Sequence, residues 1–340
     1  MIVFRSAENI AFDQNDTLQI CNEILKQKPT QVFLTLVWEN WRPGSPTLQY
    51  ADEFFHKHGI QATWIVNHWS KRYPQWKTFK NPVVFFDYVL WRMYQLTVVQ
   101  KKSKINLSWN PDADSYLFLT GKPYKAQRIG LLYKLYKQGL LDRCNYSLFM
   151  DSGMKEKSRP LVPEATDSEY NEFVRLHTRS PDNIAYLKQD GDMHYGGVPY
   201  DETLYANSLF RVVSETTMDS VFPYITEKTW LTVLNCNPFI IAGDLNSCKY
   251  LQSRGLATFD KIFDIPTYDN ITPAANRLEH IVAHVEQWLS GKFNKTEVAD
   301  MVEHNHKRFL ELAITEQHML EEQINHSALA IDTRDILTRD

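Results

Sequence analysis

The chain has 340 residues, 43% of them apolar and 23% charged, with a formal net charge of −4. These are the proportions of a soluble globular protein with one large or two ordinary domains, and they exclude a disordered or fibrous chain. No apolar run approaches the roughly 18 residues of a membrane span, and the first residues lack the apolar core of a secretory signal. Four scattered cysteines, Cys21, Cys144, Cys236 and Cys248, suit free thiols better than a disulfide frame. The expectation is a cytoplasmic protein without a membrane partner.

Along the chain the elements alternate. "QVFLTLVW" (31–38) reads as a buried strand, and "TLQYADEFFHKHG" as a helix ended by Gly59. "IQATWIVNHW" (60–69) reads as a second strand and "NPVVFFDYVL" (81–90) as a possible third. Turn-rich "SWNPDADS" (108–115) suggests a boundary near residue 110. Beyond it, "YLFLTG" is a strand. "YKAQRIGLLYKLYKQG" is a helix with Ile129, Leu132, Tyr133 and Tyr136 on its inner face, and "CNYSLFM" is the next strand. Residues 151–205 read as loops with one short helix. Strand 209–215, helix 227–235, strand 238–243, helix 245–255 and an edge-like strand 257–264 follow. Residues 273–326 carry helical periodicity, and 327–340 form a tail.

Strands alternating with helices predict an α/β fold with parallel sheets covered on both faces. The expected domains are 1–110 and 111–272, both Rossmann-like, followed by C-terminal helices. In folds of this kind ligands sit outside the carboxyl ends of the strands.

Two segments suit phosphate. "LTGKPYKAQR" runs from a strand into a helix start carrying Lys122, Lys125 and Arg128, where free N–H groups and the helix dipole favour an anion. It lacks the P-loop pattern, and a solvated basic turn is the competing reading. The second segment is "SETTMDSVFPYITEKTW". Glu215 follows a strand, where a carboxylate can bind ribose hydroxyls. Thr226 suits an N-cap and Glu227 the first helical turn. Lys228 opposes the helix dipole, which an external diphosphate would justify.

"YITEKTW" followed by "PFIIAG" resembles the donor-site motif of the α1,3-fucosyltransferase family. That motif is Tyr-x-Thr-Glu-Lys, then a short helix, then an apolar strand ending in glycine. The wider stretch 115–280 also resembles glycosyltransferase-like proteins of large phages and viruses. The resemblance implies a GT-B glycosyltransferase: two Rossmann-like domains facing across a cleft, with a nucleotide-sugar (UDP- or GDP-sugar) as co-substrate and no metal or other cofactor. It implies that Arg128 and Lys228 hold the diphosphate. Glu227 would bind ribose or sugar, and Tyr224 and Thr226 would shape the pocket. Where the fucosyltransferase pattern has Glu-Asn upstream, this chain has Ser214-Glu215, and the first domain shows no match. Sugar, nucleotide and acceptor are therefore not inherited from the resemblance.

Transfer also needs a base to deprotonate the acceptor. Glu39, His68 and Asp87 lie near the ends of predicted strands in the first domain, although a structural role for each is the commoner outcome. "DAD" (112–114) and "DGD" (190–192) match a metal-binding Asp-x-Asp, a pattern short enough to arise by chance.

The charge is uneven along the sequence. Residues 1–160 carry 22 Lys and Arg against 13 Asp and Glu, and the remainder carries 15 against 28. Within 67–82, Trp69, Tyr73 and Trp76 alternate with Lys71, Arg72 and Lys77. Aromatic faces stack on bases while cations meet phosphates; an ordinary amphipathic loop would show the same pattern. A polyanionic acceptor fits this pattern, and the resemblance to phage glycosyltransferase-like proteins then implies a hydroxylated base in phage DNA as the favoured acceptor. A cytoplasmic glycan acceptor is the alternative, and a non-catalytic nucleic-acid-binding protein is the reading from a different class. The oligomeric state and the stereochemical course are not legible.

Overall fold

The computed structural model describes residues 2–6, 14–29, 31–36, 45–67, 71, 73–99, 108–119, 125–147, 158–177, 202–218, 220 and 223–325. The chain divides into two compact units. One comprises Met1–Arg92 with Ala313–Asp340, the other Met93–Leu312. The division falls at 92/93 rather than near 110. The last stretch of the chain belongs with the first unit.

The first unit is a four-stranded parallel sheet in the order β1 (Ile2–Ser6), β2 (Gln31–Leu36), β3 (Gln61–Asn67), β4 (Val83–Phe86). Helix α1 (Gln14–Lys26) links β1 to β2, and α2 (Pro46–Lys57) links β2 to β3. The central strands are apolar because both faces are covered. Val32, Phe33, Leu34, Ala62, Trp64, Ile65 and Val66 are all buried. The sheet grows in one direction, and right-handed crossovers then put α1 and α2 on one face, where they pack against each other.

A buried carboxylate organises the end of this sheet. Asp52 on α2 accepts the Trp64 indole N–H at 2.9 Å and the Asn81 backbone N–H at 3.2 Å. It also accepts the Asn81 side-chain N–H at 2.8 Å. The segment between β3 and β4 is thereby folded back, and its 3-10 turn (Pro74–Thr78) drops Trp76 into the core. β4 is shorter than the 81–90 run suggested. The Asp87 carboxylate accepts the Leu90 N–H at 3.2 Å and so starts helix α3 (Tyr88–Tyr94).

The second unit is also a parallel sheet: β5 (Tyr116–Phe118), β6 (Cys144–Tyr146), β7 (Arg211–Ser214) and β8 (Phe239–Ala242), in spatial order β6-β5-β7-β8. Helix α4 (Ala126–Lys137) joins β5 to β6, and α5 (Asp167–His177) and α6 (Glu202–Ala206) precede β7. α7 (Glu227–Leu234) joins β7 to β8, and α8 (Ser247–Ser253) follows. The α/β expectation holds, with the inward residues of α7 (Trp230, Val233, Leu234) buried. On α4, Ile129, Leu132 and Tyr133 are buried but Tyr136 is 38% exposed.

The helical C-terminal region consists of α9 (Ala274–Leu289) and the 31-residue α10 (Lys295–Asn325). The expected strand at 257–264 does not form. Asn305 of α10 donates to the Ala257 carbonyl at 2.9 Å and accepts the Ala257 N–H at 2.7 Å. These are the backbone groups a neighbouring strand would have used. Phe259 and Phe263 turn instead onto Trp288, with ring centroids 6.2 and 5.6 Å away.

His284 on α9 is fully buried. Its Nε2 lies 3.1 Å from the Pro266 carbonyl and its ring 5.0 Å from that of Tyr268. Burial pulls its pKa below the ordinary 6.5. As pH falls through that value the unfolded chain takes up a proton that the folded protein resists, so stability is lost on acidification. Melting temperature measured from about pH 7.5 to about pH 5 should therefore fall, and less steeply in His284→Gln, which cannot titrate. Equal slopes would show that His284 does not carry the effect.

Candidate functional site

The order β6-β5-β7-β8 contains a reversal. From β5 the chain moves outward to β6, then returns to the other side of β5 to begin β7 and β8. Right-handed crossovers put α4 and α7 on opposite faces, and in sheets of this order ligands bind beyond the carboxyl ends of the two strands at the reversal, here β5 and β7. Both segments singled out for phosphate begin at this point. One runs from β5 into α4, the other from β7 into α7.

The two are physically joined. Gln127, in the first turn of α4, donates through Nε2 to the carbonyls of Glu215 and Thr216, each at 3.2 Å. Arg128 follows it and is 3% exposed. On the β7 side, Thr226 caps α7, its hydroxyl oxygen accepting the Lys228 N–H. This satisfies one of the helix's unpaired N–H groups and fixes where the helix starts.

Glu215 is completely buried. Its Oε1 accepts the Thr226 N–H at 3.0 Å and the Thr229 hydroxyl at 2.6 Å, and its Oε2 accepts the Thr226 hydroxyl at 2.5 Å. Both oxygens are occupied by the protein, so the ribose contact expected of Glu215 gives way to an internal one. It locks the first turn of α7 onto the end of β7. Gly243 permits the approach: a Cβ there would stand 3.3 Å from the Glu215 Cβ and 3.1 Å from Ser247 Oγ.

Lys228 is 6% exposed. Its Nζ donates to Glu227 Oε1 at 3.0 Å and to Thr226 Oγ1 at 3.1 Å. The cation at a positive helix end is thus balanced first by its neighbour Glu227 rather than by an outside anion. An ammonium has three donors, and two of them are placed by these contacts. Tyr224 is buried at 4% exposure, two residues before the cap.

A further residue was missed in the sequence. Asp244, directly after Gly243, is 2% exposed. Its Oδ2 accepts the Thr217 hydroxyl at 2.6 Å, its Oδ1 accepts the Ser220 N–H at 2.9 Å, and the Tyr224 backbone also bonds to it. Burial raises its pKa, an effect these hydrogen bonds oppose. Leu245 N–H donates to the Ser220 carbonyl at 3.1 Å, and Arg277 of α9 donates to the Met218 carbonyl. Glu215, Thr216, Met218 and Ser220 are therefore held from α4, from α9 and from the residues just after β8. An aspartate after "IIAG" was the available signal, but nothing local shows that its partners lie twenty and more residues upstream.

The first-unit candidates fare differently. Glu39, His68, Trp69 and Arg72 lie outside the described residues. Asp87 is 3% exposed and serves as the α3 cap, and its own N–H donates to Glu316 at 3.0 Å. Trp76 is 5% exposed, its ring 4.8 Å from Phe79, which in turn packs 5.5 Å from Trp64. It is a core residue rather than a stacking platform. Tyr73 is half-buried against the same cluster, whereas Lys71 and Lys77 are exposed. Among the described residues no group of three His, Cys, Asp or Glu could hold a metal ion, and no helix is long and apolar enough to cross a membrane.

No known protein family matches the chain, nor does any curated protein. Among solved structures, a mutant of T4 phage BGT in complex with UDP-glucose is similar to 96% of this chain and 82% of that one, at 10% identity and a TM-score of 0.38.

Two outcomes test the architecture of the site. Glu215→Ala strands two hydroxyls and an N–H in the interior and should cost on the order of 3 kcal/mol. This would be read as a lowered urea midpoint with an unchanged slope; a shift under about 0.5 kcal/mol would refute the anchor, since that is the ordinary range of surface changes. Asp244→Asn should speed amide exchange at Ser220 and Tyr224 while leaving β8 protected. Unchanged exchange at both amides would remove Asp244 from the account.

Proposed function

We propose that the protein is a GT-B glycosyltransferase that moves a sugar from a nucleotide-sugar to an acceptor hydroxyl, with its donor site beyond the carboxyl ends of β5 and β7. The observation that carries this reading is the Thr226–Glu227–Lys228 turn, fixed at the carboxyl edge of β7 and tied through Gln127 to the start of α4. The resemblance of these same residues to a Tyr-x-Thr-Glu-Lys donor motif supports the reading.

In the proposed reaction the bond between the sugar carbon and the diphosphate oxygen breaks, and a bond from that carbon to the acceptor oxygen forms. The acceptor proton passes to a base. Negative charge grows on the leaving nucleoside diphosphate. Lys228, Arg128 and the N–H groups at the start of α4 would stabilise it, which needs no metal. Glu227 holds the Lys228 ammonium in place and can meet a donor hydroxyl with its second oxygen. Tyr224 shapes the wall. With Asp87 engaged as a cap, Glu39 and His68, shortly after the ends of β2 and β3, are the stronger choices for the base.

A hydroxylated base in DNA is the proposed acceptor, supported by the exposed cations Lys71 and Lys77. One observation favours a glycan instead. Divided by compact unit, the first carries 12 Lys and Arg against 14 Asp and Glu, and the second 25 against 27. The charge contrast seen along the sequence is not a contrast between units.

Lys228→Ala and Arg128→Ala should each reduce donor turnover by on the order of 10²-fold with the circular dichroism spectrum intact. Normal turnover in both would refute the site. A panel of UDP-, GDP-, ADP- and dTDP-sugars screened for thermal stabilisation identifies the donor, since a bound ligand raises stability by mass action. A DNA acceptor predicts duplex binding that weakens steeply with salt; retention that is insensitive to salt, or none, favours the glycan.

A further inference from the structure

At the opposite end of α7 from Lys228 lies a cavity of about 480 Å³, lined by Trp109, Pro111, Cys236, Val302 and His306, with Lys295, Ala299, Glu303 and Lys307 also on its walls. It lies within the second unit. The eight residues of α7 span about 12 Å, so it is separate from the proposed donor site. Its size is that of a small-molecule pocket.

The walls have specific chemistry. Trp109 is fixed because its indole N–H donates to the Leu209 carbonyl at 2.7 Å, so its ring is held as a wall rather than left mobile. His306 Nδ1 lies 3.0 Å from the Leu234 carbonyl. A carbonyl can only accept, so Nδ1 carries the hydrogen and Nε2 is an acceptor. Burial lowers the His306 pKa and so favours this neutral form. Cys236 has its thiol pushed up to about 11 by burial, which keeps it a neutral, polarisable surface near pH 7. Lys295 pairs with Asp112 at 2.6 Å and Lys307 with Glu303 at 2.5 Å. Both lysines are more than half exposed and can reorient. The lining side chains carry two cations and one anion.

We propose that this cavity is a second ligand site, taking a planar aromatic acid that carries a ring N–H or O–H donor. The ring lies along Trp109 between Pro111 and Val302, the donor meets His306 Nε2, and the carboxylate meets Lys295 or Lys307. The site stands independently of the donor reading.

Indole-3-acetate is a direct probe, titrated into the full-length protein by calorimetry with indole and acetate as separate arms. The expected result is saturable binding of indole-3-acetate, weaker binding of indole and none of acetate. Trp109→Ala should weaken it up to about tenfold, the measured range for loss of an aromatic pair. His306→Phe should weaken it too. Ala299→Phe, at an exposed position on α10, should abolish binding by filling the cavity without disturbing the core. Lys228→Ala should leave it unchanged. No saturable binding, binding untouched by Ala299→Phe, or loss of binding in Lys228→Ala would each overturn the proposal.

Discussion

A carboxylate shut away from water governs the candidate site. Glu215 has three hydrogen-bond donors from Thr226 and Thr229 and none from solvent. A buried charge is tolerated only when its hydrogen bonds are complete, because the interior supplies no water to make up a missing one. The start of α7 must therefore sit on the end of β7 in one register, or the carboxylate is left stranded. Lys228, Glu227 and Tyr224 inherit their positions from that demand.

The same principle recurs across the molecule with different acids. Asp52 brings the segment after β3 back against α2. Asp244 draws in Thr217, Ser220 and Tyr224. Asp269 receives the backbone N–H groups of Cys248 and Lys249 at the start of α8. Asp52 and Asp244 collect backbone donors from stretches outside the strands and helices, and Asp269 collects those of the first turn of α8, which have no partner within the helix. The carboxylates do for the loops what the ladders do for the sheets.

The chemistry proposed for the site follows from how its charges are shared. Lys228 is held by Glu227 and Thr226, so its position does not depend on an outside anion. A preorganised ammonium of this kind loses little to reorganisation when charge develops beside it. At the far end of the same helix, His306 holds the Leu234 carbonyl. α7 is therefore fixed at both ends by side chains, in addition to its packed face.

What the sequence determined by itself is what short-range patterns encode. The apolar runs of β2, β3, β7 and β8, the periodicity of α4 and α7, the cap at Thr226 and the helical C-terminal region were all legible, because each depends on neighbours within a turn or a strand. Tertiary structure decided the rest. Whether Glu215 faces a ribose or two threonines, and whether Trp76 stacks on a ligand or on Phe79, depends on partners many positions away. So does the fate of 257–264, whose backbone meets Asn305 instead of a strand. The charge contrast dissolved for the same reason: folding assigns residues 93–160 to the second unit and 313–340 to the first. Linear order records which residues are neighbours along the chain, while burial and hydrogen-bond completion depend on which are neighbours in space.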